Sequence, residues 1–387
     1  MKRVLTFCDY YLPGFKAGGP IRSISNLIAR LDRDLRFSVV TRDRDQGDAA
    51  PYDGVAVDAW QDREGTPVFY MSPGRRGLAG IRGVLRETPH DVVYLNSFWS
   101  PAFTIPTLLL RRLGLAPRAP VVVAPRGEFS RGALQLSRTK KQAYLLFARG
   151  FGLYRDVNWH ASSEKERADI LRSLPATDPD RIHIVPPVPP AAADGPVRDG
   201  ETTPKRSGEL SVVFLSRVSP MKNLEGALEI LTGVQGRVAF HIYGPQEDAG
   251  YWRECERIVA KLPDNVRTRY HGIVDATEVR ATLAAHDVLL LPTRGENFGH
   301  VILEALLSGC PVIISDRTPW RGLRERGAGW DLPLDDPQRF RQVVQSLVAM
   351  GPEEYAELSQ AARRYGVAYV NDERILERNR SLFLNAR

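Results

Sequence analysis

Two carboxylates, Glu296 and Glu304, stand eight residues apart in a segment whose pattern suits the binding of a polar ligand. The apolar run 288–291 predicts a buried strand, and Asn297 predicts the N-cap of a helix over 298–309. Glu296 then lies at the carboxyl end of the strand, where open parallel sheets bind ligands. Glu304 lies on a helix that is apolar on almost every side, so we expect it to be buried and to need a partner. Carboxylates suit sugar hydroxyls and the amides of a helix start suit phosphate. The segment therefore favours a nucleotide sugar, although a surface glutamate and a structural glutamate remain the alternative.

Two cations frame a similar turn near the start of the second half of the chain. The apolar run 212–216 predicts a strand, and Arg217 and Lys222 follow it in the turn that leads into the next helix. On a diphosphate, each cation would donate a charge-assisted hydrogen bond of about 1.5–3 kcal/mol. If both bonds strengthen in the transition state, they supply roughly 10²–10⁴ in rate. The alternative is a solvated arginine and a lysine at a helix start.

The composition is that of a globular protein with unevenly distributed charge. The 387 residues are enough for two or more domains, and the hydrophobic content of 43% is ordinary. The net charge of +7 belongs to residues 1–200, so we expect an anionic partner on that side. No nucleic-acid-binding motif is recognised, and we expect no nucleic-acid partner. We expect a cytoplasmic protein, because the amino terminus becomes polar too early for a signal peptide and no apolar run approaches about 18 residues.

Short apolar strands alternate with helical stretches along the chain, which predicts α/β domains with parallel, doubly wound sheets. The Pro- and Gly-rich run 185–209 interrupts this alternation and predicts a linker over 191–209. We therefore expect two Rossmann-like domains, over 1–190 and 210–365, that face each other across a cleft, which is a usual place for a ligand. Near the amino terminus, a strand, a loop with Gly18 and Gly19, and a helix follow the layout by which nucleotide sites approach phosphate.

Taken together, these motifs resemble glycosyltransferase family 4, whose members have the GT-B fold, use nucleotide sugars and retain the anomeric configuration. Residues 296–304, ENFGHVILE, contain a Glu-x7-Glu signature with Phe-Gly inside, which is fairly specific. Three further segments resemble bacterial members that build surface polysaccharides: GGP at 18–20, APRG at 124–127 and DRTPW at 316–320. The resemblance spans nearly the whole chain and is strongest from 211 to 320.

The resemblance implies a role for each matched residue of the second domain. Arg217 and Lys222 would hold the donor diphosphate and neutralise it as the leaving group. Glu296 would contact the hydroxyls of the donor sugar, and Glu304 would accept hydrogen bonds from the ribose hydroxyls. The other donor-binding positions are those near sugar or phosphate, Asn297, Phe298, Gly299 and His300, and those where the base would lie, Tyr243, Gly244 and Ile273.

In the first domain, the resemblance implies contacts with both substrates. Gly18 and Gly19 would let their loop approach the diphosphate across the cleft, and the last helix, within 366–387, would pack back onto this domain. Many family members carry a histidine near the end of the strand at 92–95, whereas this chain has Asn96 there, so a histidine role at that place is in doubt. We expect five polar residues on the acceptor side: Asn96, Arg126, Glu128, Lys140 and Lys141.

Residues 129–155 contain six basic residues, no acidic residue and interleaved apolar and aromatic side chains. A helix of this composition lies well on an anionic bilayer. The alternative is a helix that faces the core and carries a solvated basic face. A lipid-linked acceptor would favour association with the inner leaflet of the membrane.

We therefore expect a retaining glycosyltransferase of the hexosyltransferase type (EC 2.4), cytoplasmic or peripheral on the inner membrane. It would move a sugar from a nucleotide diphosphate sugar, with UDP or GDP as the nucleotide, to a glycan or lipid-linked acceptor of lipopolysaccharide, capsule or exopolysaccharide. We expect no cofactor and no metal, although Asp43 and Asp45 match an Asp-x-Asp pattern of metal-dependent glycosyltransferases. Two alternatives stay open: a nucleotide-sugar 2-epimerase of the same fold, and a non-catalytic nucleotide-binding protein that docks on membranes.

Overall fold

The structure is a computed structural model that describes residues 1–130, 138–191, 195–198 and 204–387; the side chains of residues 138–140 lie outside this description. Within it, the chain divides into two compact units. The first comprises Met1–Ala191 together with Asp372–Arg387, and the second comprises Ala192–Asn371. Each unit is built around one mostly parallel sheet.

The first unit contains an eight-stranded sheet in the order β3-β4-β2-β1-β5-β6-β7-β8. Its central strands are continuous apolar runs, because a parallel strand is buried on both faces. Only the β3–β4 pair is antiparallel among the described pairs. The strands are β1 (Lys2–Cys8), β2 (Leu35–Arg42), β3 (Trp60–Arg63), β4 (Thr66–Met71), β5 (Val92–Asn96), β6 (Val121–Ala124), β7 (Val157–Ala161) and β8 (Ile182–Ile184).

Helices follow or separate these strands, as expected for parallel strands that need crossover connections. Between β1 and β2 lies α1 (Gly19–Leu31), whose apolar residues at helical spacing face the core. The others are α2 (Leu78–Glu87), α3 (Thr104–Arg112), α4 (Arg138–Gly150) and α5 (Glu164–Ser173), with short 3₁₀ turns at Pro73–Arg75 and Pro179–Arg181.

The second unit contains a six-stranded parallel sheet in the order β11-β10-β9-β12-β13-β14. Its strands are β9 (Glu209–Leu215), β10 (Arg237–Tyr243), β11 (Val266–Tyr270), β12 (Val288–Leu291), β13 (Val312–Ser315) and β14 (Gly329–Leu332). Its helices are α6 (Leu224–Leu231), α7 (Ala249–Val259), α8 (Val279–Ala284), α9 (His300–Leu307), α10 (Pro337–Ala349) and α11 (Pro352–Val370). The strand order reverses between β9 and β12, which is the arrangement that leaves a crevice at the carboxyl ends of the two strands.

The last helix, α12 (Glu373–Leu384), belongs to the first unit although it follows the second unit in the chain. Its residue Phe383 is fully buried, and the ring meets Phe37 and Tyr94 edge-on at centroid distances of 5.8 and 5.0 Å. Arg380 adds an ion pair with Asp34 at 2.8 Å. These contacts fix the carboxyl terminus of the chain to the sheet of the first unit.

Three strands were not expected from the sequence, namely β3, β8 and β14. β3 has the sequence WQDR, and its residues are exposed or half-buried because it forms the edge of the sheet. β8 has three residues and also lies at an edge, and β14 has the sequence GWDL. None of the three contains the apolar run by which a buried strand is recognised.

Candidate functional site

An ion pair between Lys222 and Glu296 lies where the strand order of the second unit reverses. β9 pairs with β10 on one side and with β12 on the other. The loop after β9 carries Lys222 and the loop after β12 carries Glu296, and the lysine Nζ contacts Oε1 of the glutamate. The two side chains are only 12% and 10% exposed. Removing such a pair from water is costly. In place of this mutual contact, the lysine can bind a phosphate of a ligand and the glutamate can bind its hydroxyl groups.

Backbone and side-chain hydrogen bonds hold these two loops together. The carbonyl oxygen of Met221 accepts from the Arg294 amide at 2.8 Å and from the Thr293 hydroxyl at 3.0 Å. Asn223 has a left-handed backbone conformation with φ +61°, and its side-chain amide donates to the Pro292 carbonyl at 2.8 Å. Asparagine tolerates this conformation better than most residues. Lys222 is therefore held beside the second loop by its immediate neighbours in the chain.

Arg217 lies at the end of the same strand but pairs with a different carboxylate. Its guanidinium contacts Glu247 at 2.7 Å, and the arginine side chain is 43% exposed. The Val218 amide donates to the Pro245 carbonyl at 2.8 Å, so the loops after β9 and β10 run side by side. Exposed ion pairs contribute little to stability. Arg217 can therefore turn from Glu247 to a phosphate at little cost.

The helix after β12 begins later than the sequence indicated. Gly299 is the N-cap of α9, with φ +82°, and His300 is the first helical residue. The predicted cap at Asn297 and the predicted start at Phe298 were therefore wrong. A side chain at Gly299 would place its Cβ 2.7 Å from the Ile302 Cδ1 atom in a backbone conformation that favours glycine.

Trp320 fixes the path of the loop before α9. Its indole N–H donates to the Phe298 carbonyl at 2.6 Å, and the two buried rings pack with centroids 5.4 Å apart. Tyr369 packs on the indole at 4.8 Å, and the His300 ring meets Phe298 at 4.9 Å. Because the Phe298 carbonyl is bound from outside the helix, α9 begins two residues later than predicted, with Gly299 as its N-cap.

Glu304 is half-buried rather than buried, contrary to the prediction from the apolar sequence of α9. It shares one face of the helix with His300, because residues four apart are neighbours on a helix surface, and His300 and Asn297 are half-buried too. The remaining faces of α9 are packed in the core, with Ile302 and Leu303 fully buried. Glu304 and His300 thus lie on the side of α9 that the core leaves accessible.

Of the three residues proposed for the nucleotide base, Tyr243 is the last residue of β10, Gly244 follows it, and Ile273 lies in the loop after β11. The Gly244 amide donates to the Gly272 carbonyl at 2.8 Å, and a Cβ at Gly244 would fall on the Ser216 carbonyl oxygen. Tyr243 is half-buried, and its ring stacks on His271 at 4.4 Å. Ile273 is exposed. Gly244 therefore allows the loop after β10 to approach the loop that carries Arg217.

A second polar cluster lies at the carboxyl ends of β5 and β6 in the first unit. Arg126 donates to the Asn96 side-chain oxygen at 2.9 Å and to the Tyr94 hydroxyl at 2.8 Å. Tyr94 in turn bonds Nδ1 of His160, whose Nε2 contacts the Val185 carbonyl at 2.9 Å. Burial, reinforced by the Arg126 charge, lowers the pKa of His160 to about 3. The histidine is neutral with its proton on Nε2, so it orients Tyr94 and Arg126 rather than exchanging protons near neutral pH.

The carboxylate of Glu128 lies in the same region of the first unit and accepts three hydrogen bonds. The Ser97 hydroxyl donates to Oε1 at 2.8 Å, and the amides of Phe98 and Trp99 donate to Oε2 at 2.6 and 3.1 Å. Loss of hydration nevertheless raises the pKa of Glu128 to about 7, and the charge of Asp9 acts in the same direction. The Glu128 carboxylate can thus change its protonation near neutral pH.

Of the other residues expected on the first unit, Gly18 is the N-cap of α1, with φ +64° and open space where a Cβ would stand, and Gly19 begins the helix. Lys141 interacts electrostatically with Glu128. Lys140 belongs to α4, but its side chain lies outside the described residues. The donor-side residues all belong to the second unit, and Gly18, Gly19 and the acceptor-side residues belong to the first.

Both carboxylates of the Asp-x-Asp pattern, Asp43 and Asp45, are bound by other groups of the protein. Asp43 is buried and pairs with Arg44 at 2.9 Å and Arg76 at 2.7 Å. Asp45 is also buried and accepts from the amides of the loop 15–16. Among the described residues there is no group of three or more His, Cys, Asp or Glu side chains that could hold a metal ion. The three cysteines, Cys8, Cys255 and Cys310, are free and buried.

Sequence reasoning missed the residues that position the site rather than face the ligand. Glu247 had no motif to mark it, because it lies beside Asp248 in an ordinary polar loop after β10. Trp320 was part of a recognised motif, DRTPW, but its bond to the Phe298 carbonyl depends on the fold. Tyr94 and Ser97 lie in a segment that was noted only for its lack of a histidine.

Two family models match this chain, one in each unit. The model described as "Glycosyl transferase 4-like domain" matches residues 18–187, and the model described as "Glycosyl transferases group 1" matches residues 209–350. The chain therefore belongs to the GT-B glycosyltransferases. Of the helices that the structure describes, none is both long and apolar enough to span a membrane.

Individual relatives are distant. The chain is 28% identical to the D-inositol 3-phosphate glycosyltransferase of Jonesia denitrificans over 229 residues, which are 55% of this chain and 53% of that protein. The match thus spans about half the length of this relative. Among solved structures, Anabaena Alr3699/HepE in complex with UDP and glucose is similar with a TM-score of 0.71, 16% identity and coverage of 100% and 99% of the two chains. WaaG, a glycosyltransferase involved in lipopolysaccharide biosynthesis, has a TM-score of 0.67 at 15% identity, with coverage of 97% and 98%.

Proposed function

We propose that this protein is a retaining glycosyltransferase that moves a sugar from a nucleotide diphosphate sugar to a glycan or lipid-linked acceptor in the synthesis of a surface polysaccharide. The observation that carries the proposal is the Lys222–Glu296 pair at the strand-order reversal of the second unit, beside the start of α9. It combines a cation for phosphate, a carboxylate for sugar hydroxyls and helix-start amides in one place.

Donor binding replaces the internal ion pairs of the site. Lys222 leaves Glu296 and Arg217 leaves Glu247, and both cations turn to the diphosphate. Glu296 accepts hydrogen bonds from the sugar hydroxyls, and Glu304 accepts them from the ribose. The backbone around Asn297, Phe298 and Gly299, together with His300, contacts sugar or phosphate. The base lies against Tyr243, Gly244 and Ile273, and the contact of Gly18 and Gly19 with the diphosphate stays a prediction.

The reaction breaks the bond between the anomeric carbon and the phosphate oxygen through an oxocarbenium-like state. Negative charge grows on the leaving diphosphate, and Lys222, Arg217 and the first amides of α9 meet it with preorganised positive charge. These groups supply the neutralisation that metal-dependent enzymes take from a cation. We therefore propose transfer without a metal and without a cofactor, with UDP or GDP as the leaving nucleotide.

The first unit takes the acceptor. Arg126 and Asn96 are already held in place by Tyr94 and His160, so they offer fixed polar groups at the carboxyl end of the sheet. Glu128, with its pKa raised to about 7 by loss of hydration, and Lys141 add groups that bind hydroxyls or anions. A lipid-linked acceptor places the protein at the inner membrane, and WaaG, whose fold this chain shares, takes part in lipopolysaccharide biosynthesis.

Thermal unfolding with UDP, GDP, ADP and their sugars, each with and without EDTA, tests the donor site. We expect stabilisation by one nucleotide family and no effect of EDTA. No shift from any nucleotide would contradict the donor site, and an EDTA-sensitive shift would contradict the metal-free mechanism. Consumption of donor without any acceptor would favour the epimerase, and binding without turnover would favour the non-catalytic protein.

A further inference from the structure

Five of the twelve exposed large hydrophobic side chains that the structure describes come from two neighbouring segments of the first unit. We call them the apolar patch: Leu113, Leu115, Leu146, Phe147 and Phe151. Leu146 is 73% exposed and Phe147 is 49% exposed, which is high for a leucine and a phenylalanine in one helix. Concentrated exposure of this kind marks a surface that binds something.

The members from α4 share one side of that helix. Leu145 and Ala148 are buried against the core of the unit, so Leu146 and Phe147 point away from it. The rings of Phe147 and Phe151 stack with centroids 5.5 Å apart and an interplanar angle of 16°. The aromatic pair therefore forms one flat apolar projection at the end of α4.

The turn after α3 adjoins the end of α4. The Arg112 guanidinium Nε donates to the Phe151 carbonyl at 3.1 Å, and the turn then carries Leu113 and Leu115 outward, both exposed. The Leu153 amide donates to the Ala148 carbonyl at 2.9 Å and closes the end of α4. The apolar patch is thus composed of two segments that the fold holds together.

The surroundings of the patch are basic. The segments 104–118 and 138–155 contain no acidic residue, and their exposed side chains include Arg112, Arg118, Arg149 and Arg155. The first carboxylate along the chain is Asp156, which lies near Arg111. The central part of a protein–protein interface is usually depleted of charge, whereas an anionic bilayer attracts about 1 kcal/mol for each basic residue near its surface.

We propose that the apolar patch docks this protein on an anionic lipid bilayer. α4 lies along the surface, with Leu146, Phe147 and Phe151 in the boundary between headgroups and acyl chains. The exposed arginines Arg118 and Arg155 contact the lipid phosphates. This surface deepens the proposed function, on which it rests for the lipid-linked acceptor, because Lys141 of the same helix interacts with Glu128 of the acceptor-side cluster.

Sedimentation of the full chain with lipid vesicles tests the proposal without any turnover. We expect binding to vesicles of phosphatidylcholine mixed with phosphatidylglycerol, much weaker binding to phosphatidylcholine alone, and a decrease with added salt. The double variant Leu146→Gln/Phe147→Gln should bind the mixed vesicles at least about tenfold more weakly, since two large apolar side chains no longer enter the bilayer. Leu78→Gln, which removes a leucine that is 45% exposed at the start of α2, outside the apolar patch, is the control and should bind normally.

Equal binding by the double variant and the parent chain would overturn the proposal, as would no binding to either kind of vesicle. A self-associating protein that becomes monomeric in the double variant would show that the patch joins two copies of the chain instead. Thermal unfolding and donor hydrolysis without vesicles separate the two hypotheses. Both should be unchanged in the double variant, whereas failure of the donor site abolishes hydrolysis in the parent chain itself.

Discussion

Replacement of Lys222 by alanine is the most direct test of the donor site. The change removes the cation that we place on the diphosphate, and it leaves Glu296 without its partner at 10% exposure. Loss of a charge-assisted hydrogen bond to the leaving group, worth about 1.5–3 kcal/mol, should lower kcat by roughly 10- to 150-fold. The uncompensated carboxylate should lower the free energy of unfolding by up to about 3 kcal/mol.

Turnover is measured from release of nucleotide diphosphate at saturating donor, and stability from urea unfolding of the same preparations. Lys222→Arg keeps the charge and should retain part of the activity. Lys261→Ala, at an exposed site at the end of α7, is the control and should change neither quantity. The double variant Lys222→Ala/Glu296→Gln should recover stability but not turnover, because the buried charge is gone while the leaving group is still unassisted. Near-normal kcat in Lys222→Ala would refute this account of the site.

Three further predictions concern the positions around the two clusters. The pKa of Glu128 is raised from 4.5 to about 7, so the folded state keeps a proton that the unfolded state loses, and the free energy of unfolding should fall as the pH rises through this window. Glu128→Gln should reduce this fall in urea unfolding measured from pH 5 to 7. An unchanged dependence of the unfolding free energy on pH would contradict the prediction. Trp320→Phe removes the hydrogen bond to the Phe298 carbonyl, so it should lower the free energy of unfolding by about 1 kcal/mol and raise the KM for the donor. An unaltered KM would show that the loop does not need this hydrogen bond. Gly299→Ala should lower the free energy of unfolding by about 1–3 kcal/mol and weaken nucleotide binding in a thermal-shift titration. Gly351 has a negative φ and open space where a Cβ would stand, so Gly351→Ala is the control and should change little. Similar effects at the two glycines would contradict the role of the left-handed backbone.

Much of the fold followed from the apolar pattern. The β12 run 288–291 was predicted with the bounds that the structure has, because a buried parallel strand is apolar on both faces and is visible in the sequence. Edge strands such as β3 lack that signature, since water covers part of them. The start of α9 was predicted wrongly, because a local cap preference at Asn297 was overruled by the bond from Trp320 to the loop before the helix.

The sequence by itself determined the α/β class, the family and the kinds of residue at the site, because motif spacing along a strand–loop–helix is a local property. Only the tertiary structure decided which charge meets which: Lys222 pairs with Glu296, Arg217 pairs with Glu247, and Arg126 is held by Tyr94 and Asn96. The Lys222–Glu296 contact joins residues 74 positions apart, and the Arg126–Asn96 contact joins residues 30 apart. Such pairings depend on strand order in the sheet, because the carboxyl ends of neighbouring strands meet at one edge whatever their separation along the chain.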